Sequence, residues 1–107
     1  MNYNVQIAKY IIQKIAEGII SEFTIYNDNT VEIEGGKNLI YYDCDDNCTS
    51  DYIPFRDLTL PTMEYSYISI LIHNNTIMAE LRRIDSTAFS LPIDGILEFF
   101  RDEMVIT

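Results

Sequence analysis

The chain has 107 residues, 17 acidic against seven basic, for a net charge of −10, and 48% of it is hydrophobic, with eight Tyr and five Phe. That charge repels nucleic acid and anionic membrane, which argues against both as direct partners, and the aromatic content argues against a disordered acidic chain. No stretch approaches the roughly 20 apolar residues of a membrane span, and residues 1–10 hold no basic region leading into an apolar one, so the cytoplasm is the expected compartment. The length suits a single domain over residues 1–107.

Val5, Ala8, Ile12, Ile15, Ala16 and Ile19 recur at helical spacing with Ile11 widening the stripe, which predicts an amphipathic helix over 5–17. Asn4 is placed to cap its start, and Gly18 to end it. The period then changes to two. Phe23 and Ile25 alternate with Glu22, Thr24 and Tyr26, and after Asn27-Asp28-Asn29, Val31 and Ile33 alternate with Glu32 and Glu34. This is a hairpin with a three-residue turn. Gly35-Gly36 makes a further turn, residues 39–43 read as a third strand, and 43–51 form a polar loop. Residues 52–61, with Pro54 and Pro61, read as an irregular segment packing through its apolar side chains.

A second hairpin joins 65–73 to 76–84 through Asn74-Asn75. Pairing outward from that turn sets Ile72 opposite Ile77, Ile70 opposite Ala79 and Ile68 opposite Leu81, all on one face, the core face. A closing helix follows, with Ser90 as N-cap, Pro92 and Asp94 in its first turn, and Ile93, Ile96, Leu97, Phe100 and Met104 as its apolar stripe. The expected fold class is α+β: a single antiparallel β-sheet of five or six strands with an N-terminal and a C-terminal helix packed on one face.

The charge is unevenly spread. Residues 17–51 hold nine acids (Glu17, Glu22, Asp28, Glu32, Glu34, Asp43, Asp45, Asp46, Asp51) against Lys37 alone, a local charge of −8. In the first hairpin Glu22 falls directly opposite Glu34, a destabilising pairing, and Glu32 and Glu34 share a face at about 6.6–6.8 Å. That spacing is comparable with successive phosphates of one nucleic-acid strand, so the row can imitate a nucleic-acid backbone toward a basic groove. Glu22, Glu32, Glu34, Asp43, Asp45, Asp46 and Asp51 are therefore the candidate partner-binding acids, with Tyr41 and Tyr52 as desolvated anchors beside them.

Other patterns carry less. Asp43, Asp45 and Asn47 match the opening ligands of a calcium loop, but Cys48 stands where glycine is needed and Pro54 where the closing glutamate is needed. Cys44 and Cys48 lack the further ligands of a zinc site, and acidic neighbours disfavour their thiolates. His73, the one histidine, flanks a turn, and no nucleophile elbow, phosphate loop, dinucleotide motif or H-E-x-x-H surrounds it. No metal, cofactor or catalytic group is expected.

No family motif emerges. By charge and size the chain has the profile of small acidic inhibitors of nucleic-acid-binding enzymes, such as phage anti-CRISPR and nuclease-toxin immunity proteins, a likeness of composition alone. The expectation is thus a non-enzymatic inhibitor that binds the basic surface of a nuclease or ribonucleoprotein effector. The alternative is a protein-interaction or homo-oligomeric module, a homodimer included. It would use the second hairpin's outer face, where Tyr65, Tyr67, Leu71, Met78 and Ile84 gather with Arg82 opposite Tyr67.

Overall fold

The computed structural model describes residues 3–28, 30–35, 58–60 and 64–106. Among these, the order is α1 (Tyr3–Ala16), β1 (Glu22–Tyr26), β2 (Val31–Glu34), β3 (Leu58–Thr59), β4 (Tyr65–His73), β5 (Thr76–Arg83), β6 (Ala88–Leu91), α2 (Ile93–Asp102) and β7 (Val105–Ile106). Five strands form one antiparallel sheet in the order β2-β1-β4-β5-β6, and β3 pairs with β7 in a small second ladder. The α+β class follows. The predicted third strand at 39–43, the polar loop at 43–51 and residues 52–57 and 61 of the irregular segment lie outside the described residues.

Helix α1 begins earlier than its periodicity suggests. Asn4 is no cap: it lies inside the helix, buried, and its Nδ2 donates to the Met104 carbonyl at 2.8 Å. The buried stripe is Asn4, Ile7, Ala8, Ile11 and Ile15, whereas Ala16 is exposed and Ile12 only half-buried. Ala8, Ile11 and Ile15 of the expected stripe are therefore in the core, and its edge moves from Val5, Ile12 and Ala16 toward Ile7, because the sheet takes the face centred on Ile7, Ile11 and Ile15. The end is as expected. Gly18 has φ +77°, its N–H donates to the Ile15 carbonyl at 3.1 Å, and the Ile19 N–H reaches the Lys14 carbonyl at 3.0 Å. These two bonds are a Schellman closure around a left-handed glycine.

Both hairpins have the predicted register. Glu22 pairs with Glu34, Phe23 with Ile33, Thr24 with Glu32 and Ile25 with Val31. In the second, Ile68 meets Leu81, Ile70 meets Ala79 and Ile72 meets Ile77, and Asn74 and Asn75 have φ of 52° and 65°, the paired left-handed values of a type I′ turn. Phe23, Ile25, Ile68, Ile70, Ala79 and Leu81 form one buried cluster with the α1 stripe and with Ile96, Phe99 and Phe100 of α2. Each Ile, Leu or Phe side chain among them contributes roughly 1.5–3 kcal/mol by leaving water. The hairpin tip is an exception to the core-face reading, since Ile72 is 48% exposed while its partner Ile77 is half-buried.

Three further expectations are corrected. Ser90 belongs to β6, and Pro92 occupies the N-cap of α2 with no side-chain cap; its carbonyl accepts the Ile96 N–H at 2.9 Å. The two residues 58 and 59 are a strand within the segment read as irregular, while Leu60 is fully buried, as its apolar character requires. Tyr65 lies in the core, edge-to-face with Phe99 at 5.2 Å, because a register shift between Tyr65 and Tyr67 turns it away from the outer face.

β5 turns into β6 through a tight loop. The Ser86 N–H donates to the Arg83 carbonyl at 3.0 Å, the Arg83 N–H to the Thr87 carbonyl at 2.8 Å, and Ser86 has φ +77°. A β-turn followed by a left-handed residue is the usual three-residue hairpin, with glycine preferred where serine stands here. Ser86→Gly removes the Cβ strain and keeps the backbone carbonyl that accepts from Arg82 Nη1 at 2.9 Å. We expect it to stabilise the protein by about 0.5–1 kcal/mol, after allowing for the added freedom of the unfolded chain. Thermal unfolding should show a rise of a few degrees; a fall would mean that the serine hydroxyl outweighs the strain.

Candidate functional site on the outer sheet face

Both helices cover one face of the sheet, and the strand registers fix what the other face presents. Three rows cross it. The first runs Glu34, Glu22, Leu71, Met78; the second Glu32, Thr24, Ser69, Glu80, Ser90; the third Tyr26, Tyr67, Arg82, Ala88. The acidic patch of the first hairpin and the tyrosine patch of the second, separate in the sequence, are therefore one surface. The joint is the β1–β4 pairing, which sets Glu22 beside Leu71 and Tyr26 beside Tyr67.

The middle row has the smallest side chains and forms the floor. Thr24 and Ser69 are buried and share a hydrogen bond at 2.7 Å, and Thr24 Oγ1 also reaches Glu22 Oε2 at 3.4 Å. Over them lies an open depression of about 260 Å³ walled by Glu22 and Glu80, with Tyr26 and Tyr67. A second depression of about 280 Å³ continues toward β6, past Met78 and His73. Glu80 is a carboxylate of this face that charge counting along the first hairpin missed. Its place two residues before Arg82, across from Ser69, was readable from the second hairpin's register.

The charges here are unequal. Glu32 and Glu34 are exposed, Glu22 is half-buried, and among the described residues no lysine or arginine pairs with any of the three. Among the described residues Arg82 is the cation of the face, and it is engaged: Nη2 lies 3.7 Å from Glu80 Oε1, Nε donates to the Tyr67 hydroxyl at 3.2 Å, and the guanidinium sits 5.8 Å from the Tyr67 ring centre. The face thus grades from unpaired carboxylates at β1–β2 to aromatic and apolar side chains at β4–β5. Of the sequence-predicted residues, Glu22, Glu32 and Glu34 come together; Asp43, Asp45, Asp46, Asp51, Tyr41 and Tyr52 lie outside the described residues. In the second patch, Tyr67, Leu71 and Met78 are half-buried members of the face, Tyr65 is not a member, and Ile84 is 51% exposed in the loop beyond β5.

Tyr26 reports on this environment. Its hydroxyl donates to Glu32 Oε1 at 3.0 Å, and that bond, then burial, then the charges of Glu32 and Glu22, hold its pKa above the ordinary phenol value. A folded-state pKa raised above the unfolded value gives stability that is full below the unfolded phenol's pKa and is lost as pH climbs through the folded one. Glu32→Gln should lower the Tyr26 pKa in an NMR titration of its ring. An unchanged value would show that the hydrogen bond to Glu32 is not made in solution.

Among the described residues no group of three His, Cys, Asp or Glu side chains is arranged to hold a metal ion, and no helix is long and apolar enough to cross a membrane. No family model, no curated protein and no solved structure matches this chain.

Proposed function

We propose that the protein is a small non-enzymatic inhibitor whose outer sheet face occupies the basic, nucleic-acid-binding surface of a nuclease or ribonucleoprotein effector in the cytoplasm. One observation supports this reading above the others: Glu22 and Glu34 stand directly opposite each other with Glu32 beside them, and no cation offsets them among the described residues. A solvated sheet face serves folding better with mixed charges, since like charges opposite each other cost stability. Retaining them fits a surface completed by a partner's lysines and arginines. The carboxylates steer encounter, and Tyr26, Tyr67, Leu71 and Met78 supply the amphipathic contact that steering alone does not give.

A second reading draws on that apolar half alone. There Tyr67, Leu71 and Met78 form an interaction or assembly surface for which the acids only maintain solubility. Salt separates the two. The test is capture from host lysate on immobilised protein at low ionic strength, followed by elution with duplex DNA or with structured RNA. The inhibitor reading expects a nucleic-acid-binding protein, released by nucleic acid and by moderate salt. A captured protein indifferent to both would sink it and favour the second reading.

A further inference from the structure

The two edges of the five-stranded sheet differ. β2 carries Glu32 and Glu34 at one end of the strand order, whereas β6 ends the other side with Ala88, Phe89 and Ser90 all exposed. Residues 87–92 (Thr-Ala-Phe-Ser-Leu-Pro) bear no charge, and the proline comes only after the strand has ended. Edge strands are normally guarded against pairing by charge, proline or a bulge. β6 has none of these three, and its shortness, four residues, is the guard it does have among the described residues.

Its hydrogen-bonding phase is determined. The Arg83 N–H donates to the Thr87 carbonyl, so the antiparallel alternation makes Leu81–Phe89 and Ala79–Leu91 the bonded pairs with β5. The N–H and C=O of Ala88 and Ser90 therefore point away from the sheet, and among the described residues nothing meets them.

We propose that β6 pairs antiparallel with β6 of a second copy of this chain, about a two-fold axis at Phe89, to give a continuous ten-stranded sheet. The inference does not rest on the inhibitor reading, since the acids lie at the opposite edge. Matching the two faces of the sheet allows a two-fold axis at any residue of the strand; an axis at Ala88 would set Ser90 opposite Ser86, whose carbonyl already accepts from Arg82 Nη1, which leaves residues 89 and 90. Centred on Phe89, Ala88 lies opposite the second copy's Ser90, and all four outward groups of each chain find partners in four interchain hydrogen bonds. Centred on Ser90, Ala88 would meet Pro92, which has no N–H and whose carbonyl already accepts from Ile96. The first register leaves nothing unpaired.

Side chains agree with it. Phe89, 37% exposed, lies on the core face and meets its own copy at a non-hydrogen-bonded position, where side chains approach most closely. Antiparallel pairing brings the Arg83 end of one strand to the Asp94 end of the other, with Asp85 and Glu80 the acids nearby. The carboxylates of β1 and β2 stand three and four strands in from β6 in each copy, seven and nine strand spacings from their counterparts, so opposing acidic edges are roughly 34–43 Å apart, several screening lengths at physiological salt.

The test is sedimentation over a concentration series. The wild-type protein should reach twice the mass of the chain. Phe89→Lys and Phe89→Glu should each be monomeric at concentrations where the wild type is paired, and an equimolar mixture of the two should regain the dimer, because residue 89 faces residue 89. Ser90→Pro, which removes an outward N–H at an edge position where proline is tolerated, should weaken pairing at least tenfold while circular dichroism stays unchanged. A wild type that is monomeric at every concentration, a dimer that survives Ser90→Pro and both Phe89 variants, or charge variants that fail to associate when mixed would each overturn the proposal.

Discussion

Phe23→Ala is expected to cost about 3–5 kcal/mol, a large part of the roughly 5–15 kcal/mol available to a domain of this kind. Phe23 is fully buried, is one of the largest such side chains, and sits on β1 between Ile33 of β2 and Ile70 of β4. Truncation removes its transfer free energy and leaves a cavity under the strand whose other face carries Glu22 and Thr24. Ile72→Ala is the natural comparison. Alternation puts Ile72 on the same face, but it is 48% exposed at the hairpin tip, so its loss should cost no more than about 1 kcal/mol. Urea unfolding of the two variants should therefore differ several-fold in effect. Equal losses would mean that the tip is covered, or that the core is not centred where the buried cluster indicates.

Glu34→Lys separates stability from binding. In the fold it turns a repulsive cross-strand pair with Glu22 into an attractive one, a gain of about 0.2–1 kcal/mol at an exposed position. At the proposed interface it changes local charge by two units, and partner affinity should fall at least about tenfold, equivalent to roughly 1.4 kcal/mol. The variant should be as stable as the wild type, or more so, and defective in binding. A variant that unfolds would place Glu34 in a structural role, and one that binds normally would make this strand face ordinary solvated surface.

Local chemistry made much of the fold legible. Asn74-Asn75 and Asn27-Asp28-Asn29 fix loop lengths, loop length fixes register, and a period of two then assigns every side chain to a face, so Glu22 opposite Glu34 and Arg82 opposite Tyr67 could be read directly. What depends on distant partners could not. Nothing in the composition of β1 says that it pairs with β4, yet that pairing alone merges the acidic and tyrosine patches. The bulge that moves Tyr65 into the core leaves no trace in the alternation. The α1 stripe is legible in Ala8, Ile11 and Ile15, but its centre is not, because Ile7, Ile11, Ile12 and Ile15 satisfy two overlapping periodicities and only the sheet chooses between them. β6 was missed because Ala88-Phe89-Ser90-Leu91 is short and Ser90 also resembles a helix cap.

The most direct test of the acidic face is the association rate constant for the captured partner, measured for the wild type and for Glu34→Lys across a range of ionic strength. Steering by fixed carboxylates predicts a wild-type rate that falls steeply with added salt. The variant should start slower, depend less on salt, and converge with the wild type as screening removes the difference. Two parallel lines, or a pair that does not respond to salt, would contradict the claim that these carboxylates guide the protein to its partner.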